Sequence, residues 1–262
     1  MQLAVSNIAW NAEKDNEIYN LMKKYGFSGL EIAPTRIFPE NPYKNIEQAR
    51  KWKQDLSENY GFSVPSMQSI WFGKTEKIFG SEEERKELLE YTKKAIDFAA
   101  AIECKNLVFG CPRNRNVPDG VDVSIAQSFF GELGEYALKK KTVIGMEANP
   151  TIYNTNYIND TCSAIQLIKQ VNSTGFRLNL DIGTMIQNGE AISSIEGNVS
   201  LISHVHISEP GLKLIEERTL HRELIECPKV ENYQGFISIE MGKQEDLLQI
   251  EETMKYVKEL VK

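Results

Sequence analysis

The 262-residue sequence predicts an α/β fold, a single-domain (β/α)8 TIM barrel spanning residues 1–262. Three observations predict it. Short apolar runs alternate with longer amphipathic ones from end to end, and strand starts recur roughly every 25 to 40 residues. No linker, low-complexity tract or shift of composition interrupts the alternation. Eight βα units in about 250 residues is the arithmetic of that barrel. A doubly wound open sheet is the structural alternative, but no glycine-rich dinucleotide fingerprint follows the first strand.

The elements follow in order. Strands are expected at QLAVSN (2–7), GLEIA (29–33), SVPSMQ (63–68), NLVFG (106–110), TVIGME (142–147), RLNLD (177–181), ISHVHI (202–207) and FISIE (236–240). Each is short and largely apolar, as parallel strands buried on both faces should be. The clearest helix, 81–102, opens with Ser81 and Glu84 at capping-box spacing and repeats Leu88, Tyr91, Ala95, Phe98 and Ile102 on one face. The last, 245–261, does the same with Leu247, Ile250, Met254, Val257 and Val261. Weaker helical patterns fit 14–25, 45–60, 122–140, 160–171, 189–197 and 216–228.

Composition narrows the function classes. With 41% hydrophobic and 26% charged residues the chain reads as an ordinary soluble protein. A formal charge of −7 without a basic stripe argues against a nucleic-acid partner, because phosphate neutralisation dominates that affinity. Cys104, Cys111, Cys162 and Cys227 form no CxxC or zinc-ribbon spacing and read as reduced thiols. The N-terminus has no basic n-region, and no run approaches the ~18 apolar residues of a membrane span. The expectation is a cytoplasmic protein with no membrane partner, free to form a homo-oligomer.

In such a barrel the active site forms where the strands end. In the second half the strand ends are uniform: GME closes on Glu147, NLD on Asp181, HVH on His206 and SIE on Glu240. The residues two before them, Gly145, Asn179, His204 and Ser238, share the inward face. Taken singly, a strand-end carboxylate is more often a helix cap or an ion-pair partner. Together, on consecutive strands, three carboxylates in a dry cavity repel one another, and a divalent cation is the natural compensation. Three oxygen donors and one nitrogen suit Mn²⁺ first, with Mg²⁺, Co²⁺ or Zn²⁺ as alternatives. His204 and Asn179, one layer below, are expected to support that ring.

Loop residues are the candidates for reading a substrate. Arg36 after the second strand, with Arg113 and Arg115 after the fourth, could meet a phosphate or carboxylate. Trp10 and Trp71 could stack on a sugar ring, and Lys243 could reach a substrate oxygen; solvation or ordinary packing competes at each. Asn149 and Tyr153 follow Glu147 and could line the pocket, whereas no histidine is placed in sequence to activate Cys111 as a nucleophile.

The segments GMEANP (145–150), LNLDIGTM (178–185), HVHISEP (204–210) and SIEMGK (238–243) resemble the sugar phosphate isomerase/epimerase superfamily with the xylose-isomerase-like barrel. The resemblance covers essentially the whole chain. It implies one divalent metal on Glu147, Asp181, His206 and Glu240, with Glu147 and Glu240 also serving as the acid/base pair. It implies a small carbohydrate substrate: a sugar, sugar phosphate or polyol derivative. Two positions depart from the epimerase pattern: Thr184 stands where the resemblance implies histidine, and ISEPGLK, with Glu209, offers no arginine. Both argue against 3-epimerisation of a free ketose, while leaving metal-assisted chemistry next to a carbonyl in place. The alternatives are an inosose dehydratase-like lyase on the same site, or a non-catalytic metabolite-binding barrel. A zinc-cluster nuclease is disfavoured by the three histidines in the chain and its acidic charge.

Overall fold

Eight parallel strands form one sheet in the computed structural model, which describes residues 1–226 and 232–262. They are β1 Gln2–Ser6, β2 Gly29–Glu31, β3 Ser66–Met67, β4 Asn106–Phe109, β5 Val143–Met146, β6 Phe176–Asp181, β7 Ile202–Ser208 and β8 Phe236–Glu240. The order runs β2-β1-β8-β7-β6-β5-β4-β3. The seam between β2 and β3 is closed by bridges pairing Gly29 with Ser63 and Ile32 with Met67, and by the Gln68 N–H donating to the Ile32 carbonyl at 2.8 Å. The result is the nearly closed barrel that the alternation predicts. β3 is shorter than expected because Pro65 has no N–H to offer the ladder.

The longer helices, α1 Asp15–Tyr25, α3 Ile46–Tyr60, α4 Glu82–Ala101, α5 Ser124–Lys139, α6 Thr161–Val171 and α9 Leu247–Leu260, agree with the apolar periodicity; α2, Pro34–Ile37, is a single extra turn. The Ser81–Glu84 capping box at the start of α4 forms in both directions. The helix expected at 189–197 is corrected: α7 spans Ile182–Asn188 instead. The Asp181 carboxylate accepts from the Gly183 N–H at 2.8 Å and starts the helix at once, and Gly189, in the left-handed region at φ 66°, stops it. Only a 3-10 turn, Ile192–Ile195, falls within the expected range. α8 runs Thr219–Glu226; of the helix expected at 216–228, residues 216–218 are not helical, and 227–228, with Cys227, lie outside the described residues. Among the described residues no helix is long and apolar enough to cross a membrane.

The sheet register staggers the strand ends. Asp181 pairs with His206 after a register shift at Leu178/Asn179, but His206 pairs with Ser238, and Glu240 pairs with Ser208. The four expected ring residues therefore do not stand at one level, as strand tilt in a barrel requires. Below them the buried interior is unusually polar: Ser6, Glu31, Gln68, Asn106, Asn179, His204 and Ser238 are all 6% exposed or less. Asn106 Nδ2 donates to Ser66 Oγ at 3.1 Å and to Asn179 Oδ1 at 3.3 Å, and Asn106 Oδ1 accepts from Ser203 Oγ at 2.8 Å.

Candidate functional site

Glu147 follows β5 directly, His206 lies in β7 and Glu240 ends β8, and one potential ligand atom from each falls within 4.8 Å of the others. His206 Nδ1 stands 3.2 Å from Glu147 Oε2 and 3.1 Å from Glu240 Oε2. Two amides hold the Glu147 carboxylate: Asn149 Nδ2 donates to Oε1 at 3.0 Å and Asn179 Nδ2 to Oε2 at 2.9 Å. Gly110 leaves room for it, since a Cβ there would lie 2.9 Å from Glu147 Oε1. Glu147, Asp181 and Glu240 line a cavity of about 190 Å³, walled also by Gln68, Cys111, Asn149, Tyr153 and Leu212. Asp181 lines the same cavity, outside the group formed by Glu147, His206 and Glu240. Its oxygens accept from the Gly183 N–H at 2.8 Å, Thr184 Oγ1 at 3.2 Å and the Ser208 hydroxyl.

Burial pushes the Asp181 carboxyl up to about 7, and the neighbouring Glu147 and Glu240 add to the shift. Burial likewise raises Glu240, with His206 opposing. For His206 burial works against the imidazolium, but Glu240 and Glu31 outweigh it and hold the pKa well above the ordinary histidine value. Burial acts on all three groups, and beside it the neighbouring carboxylates, short of positive charge, raise Asp181, Glu240 and His206 alike. A divalent cation meets that need, and three carboxylates with one imidazole are a donor set that fits it. Cys111 also borders the cavity, but burial pushes its thiol up to about 12, so it is no ready nucleophile.

Sequence reasoning missed Glu31. It ends β2 with no exposed surface, its Oε2 2.9 Å from His206 Nε2 and 3.1 Å from His204 Nε2. His204 Nε2 is also 2.8 Å from Ser238 Oγ, so His204 meets its partners below the cavity. The available signal was a single glutamate inside the apolar strand GLEIA, where an unpaired charge is too costly to bury.

The structure puts most of the expected substrate-reading residues to other work. The buried Trp10 donates from Nε1 to Asp15 Oδ1 at 2.7 Å, and Arg36 pairs with that oxygen at 2.5 Å while lying 5.5 Å over the Trp10 ring. Trp71 is buried against Phe109, and its Nε1 donates to Thr92 Oγ1 at 2.8 Å. Arg115 is fully buried: Nη1 donates to the Glu147 carbonyl at 2.8 Å, and Nη2 to Asn149 Oδ1 at 3.0 Å and the Ile158 carbonyl at 3.1 Å. Arg113 is exposed, its carbonyl accepting from Lys77 Nζ, and the exposed Lys243 pairs with Glu245 at 3.0 Å. Of the lower-ranked positions, Asn149 and Tyr153 do line the cavity, and the Tyr153 hydroxyl accepts from the Gly211 N–H at 2.8 Å. At the two departures, Thr184 Oγ1 donates to the Ala148 carbonyl at 2.8 Å, and the buried Glu209 pairs with Arg218 at 2.7 Å.

No curated protein matches the chain in sequence. Among solved structures, D-psicose 3-epimerase from Clostridium cellulolyticum H10 superposes with a TM-score of 0.78 at 14% identity over 100% of both chains. The 3-keto-D-glucoside 4-epimerase of E. coli gives 0.75 at 19% identity over 99% of each chain. An AP endonuclease, family 2, from Brucella melitensis gives 0.71 at 19% identity over 98% of each. At such identities the likeness is one of fold. The model of the xylose isomerase-like TIM barrel family matches residues 19–260, and the chain belongs to that family.

Proposed function

We propose that the protein is a divalent-metal-dependent isomerase or epimerase of a small carbohydrate, working by glutamate-mediated proton transfer next to a carbonyl. The observation that carries the reading is the meeting of Glu147, His206 and Glu240 at the barrel mouth, with Asp181 facing the same cavity. These four residues would hold the ion, manganese first and magnesium, cobalt or zinc as alternatives. When bound, the ion supplies Lewis acidity at the substrate carbonyl and charge compensation as a neighbouring C–H proton leaves. Glu147, aimed by the Asn149 and Asn179 amides, removes that proton. Glu240, whose Oε2 lies 3.1 Å from His206 Nδ1, takes the partner role, holding a proton and returning it. Return to the opposite face epimerises, and return to the adjacent carbon isomerises. Delivery to a departing hydroxyl would dehydrate the substrate, the lyase reading of the same residues.

Two epimerases among the structural neighbours support the direction of this reading. The cavity holds the volume of roughly six waters, enough for a small polyol. Among the described residues lining it none is lysine or arginine, which favours a neutral sugar over a phosphorylated one. The test is to incubate sugars and sugar phosphates with the Mn²⁺-loaded protein in D₂O. Deuterium should enter a carbon next to the carbonyl, and Glu147→Gln or Glu240→Gln should slow its entry by about 10²–10⁴-fold. Full exchange in Glu240→Gln would sink the mechanism. A sugar that binds without exchange would point to a metabolite-binding barrel.

A further inference from the structure

Glu31 lies outside the proton-transfer pair, yet it makes the closest contact to His206. Its Oε2 stands 2.9 Å from His206 Nε2 and 3.1 Å from His204 Nε2, and its Oε1 accepts from Gln68 Nε2 at 3.3 Å. The two imidazoles are crossed at 85° with centroids 5.3 Å apart, which brings both Nε2 atoms to one oxygen. An ionised carboxylate oxygen only accepts, so a ring nitrogen hydrogen-bonded to it carries the proton. A neutral His206 then has its lone pair on Nδ1. Nδ1 is the atom that faces Glu147 and Glu240, and Asn179 Nδ2 lies 3.3 Å from it. Without an ion the Glu147 and Glu240 oxygens, 3.2 and 3.1 Å from Nδ1, favour a proton there too; an ion held by those carboxylates displaces that proton and leaves the one on Nε2 that Glu31 accepts.

We infer that Glu31 is a positioning residue that fixes the orientation and the Nε2–H tautomer of His206, so that Nδ1 is presented toward Glu147 and Glu240 as a metal ligand. The inference rests on the metal-dependent reading of the site and deepens it, since outer partners of this kind orient metal-bound histidines. Glu31, His204 and His206 also have ligand atoms close enough to suggest a metal centre of their own. Their atoms are already taken: Gln68 holds Oε1, Ser238 Oγ stands 2.8 Å from His204 Nε2, and none of the three is more than 1% exposed. One ion per chain is therefore expected, not two.

The chain has only three histidines, so ¹⁵N-histidine labelling gives a spectrum of three imidazoles, and His221→Phe identifies the one remote from the site. In the Zn²⁺-loaded wild type, His206 should carry its proton on Nε2, with Nδ1 shifted by the ion at one zinc per chain. Glu31→Gln keeps the shape but offers two rings only a neutral amide. It should raise the zinc Kd, read by chelator competition, about 10–100-fold and release the His206 tautomer. The inference is overturned if loaded wild type carries the His206 proton on Nδ1, if a second zinc binds, or if Glu31→Gln keeps both the wild-type Kd and tautomer. Should Glu31→Gln fail to fold, the wild-type tautomer and stoichiometry decide alone. A wild type that takes up no divalent ion overturns the metal reading itself, and this inference with it.

Discussion

Arg115→Met removes the cation that holds the loop carrying Glu147. The guanidinium makes three hydrogen bonds to oxygen, at the Glu147 carbonyl, Asn149 Oδ1 and the Ile158 carbonyl, and a weak one to Met146 Sδ at 3.5 Å. Bonds to a charged donor contribute about 1.5–3 kcal/mol each, a gross loss of roughly 4–9 kcal/mol. Against that stands burial, which brings the guanidinium pKa from 12.5 down to about 10. At 1.36 kcal/mol per pKa unit this is a cost of roughly 3 kcal/mol that methionine does not bear. Arg115 Nε, buried without a partner, offsets the gain further. Methionine fills most of the volume, so the cavity term is small. The net expectation is a loss of about 3 kcal/mol, which for a chain of this size lowers Tm by about 6–12 °C in scanning calorimetry. Because Nη1 grips the backbone of Glu147 itself, deuterium exchange into a substrate should slow as well. A variant that melts within about 2 °C of wild type and exchanges at the wild-type rate would refute the argument, and with it the claim that Arg115 holds the loop.

Three further outcomes follow from the same geometry. Gly110→Ala sets a Cβ 2.9 Å from Glu147 Oε1, so circular dichroism should stay native while deuterium exchange falls by at least about tenfold, the effect of ~1.4 kcal/mol of misplacement. A divalent ion at a hundredfold excess over its Kd should stabilise the fold by about 2.7 kcal/mol, an upward Tm shift that Asp181→Asn with His206→Asn abolishes. His221 is buried with Nδ1 3.0 Å from the Tyr256 hydroxyl, and burial depresses its pKa from 6.5 to about 4. The unfolded chain therefore binds a proton near pH 6.5 that the folded chain refuses until about pH 4, and stability falls as pH drops through that window. At pH 4.5 the loss is about 2 kcal/mol at 1.36 kcal/mol per unit; His221→Phe should lose that much less than wild type between pH 7 and 4.5 in urea titrations, and equal losses would refute the assignment.

What was legible in the sequence followed from periodicity. Inward residues at period two, plus the rule that barrel sites form where strands end, bring Glu147, His206 and Glu240 together without further information. Asp181 was harder, because an aspartate before IGT serves equally as a ligand or as the cap of the next helix, and here it caps α7 while facing the cavity. Loop residue types alone do not say which way a side chain turns. Arg36 and Trp10 close on Asp15, and Arg115 turns inward to carbonyl groups rather than outward to an anion. The apolar strand around Glu31 signals a buried carboxylate but not its partner: His206 lies 175 residues away, and the two meet only once the barrel closes.

The interior beneath the cavity explains why that closure matters. A barrel core is usually filled by branched apolar side chains in layers. Here Glu31, Gln68, Asn106, Asn179, His204 and Ser238 occupy it, and buried polar groups lower stability unless each is bonded. Asn106 Nδ2 bridges Ser66 and Asn179, while Gln68 donates to Glu31 and Ser238 contacts His204. The first network reaches Glu147 through Asn179, and the second reaches His206 through Glu31. A packed apolar core would have stabilised the barrel at least as well, but it could not fix the direction of a carboxylate or the tautomer of an imidazole. The polar interior is thus better accounted for by the orientation of the site above it than by the stability of the fold.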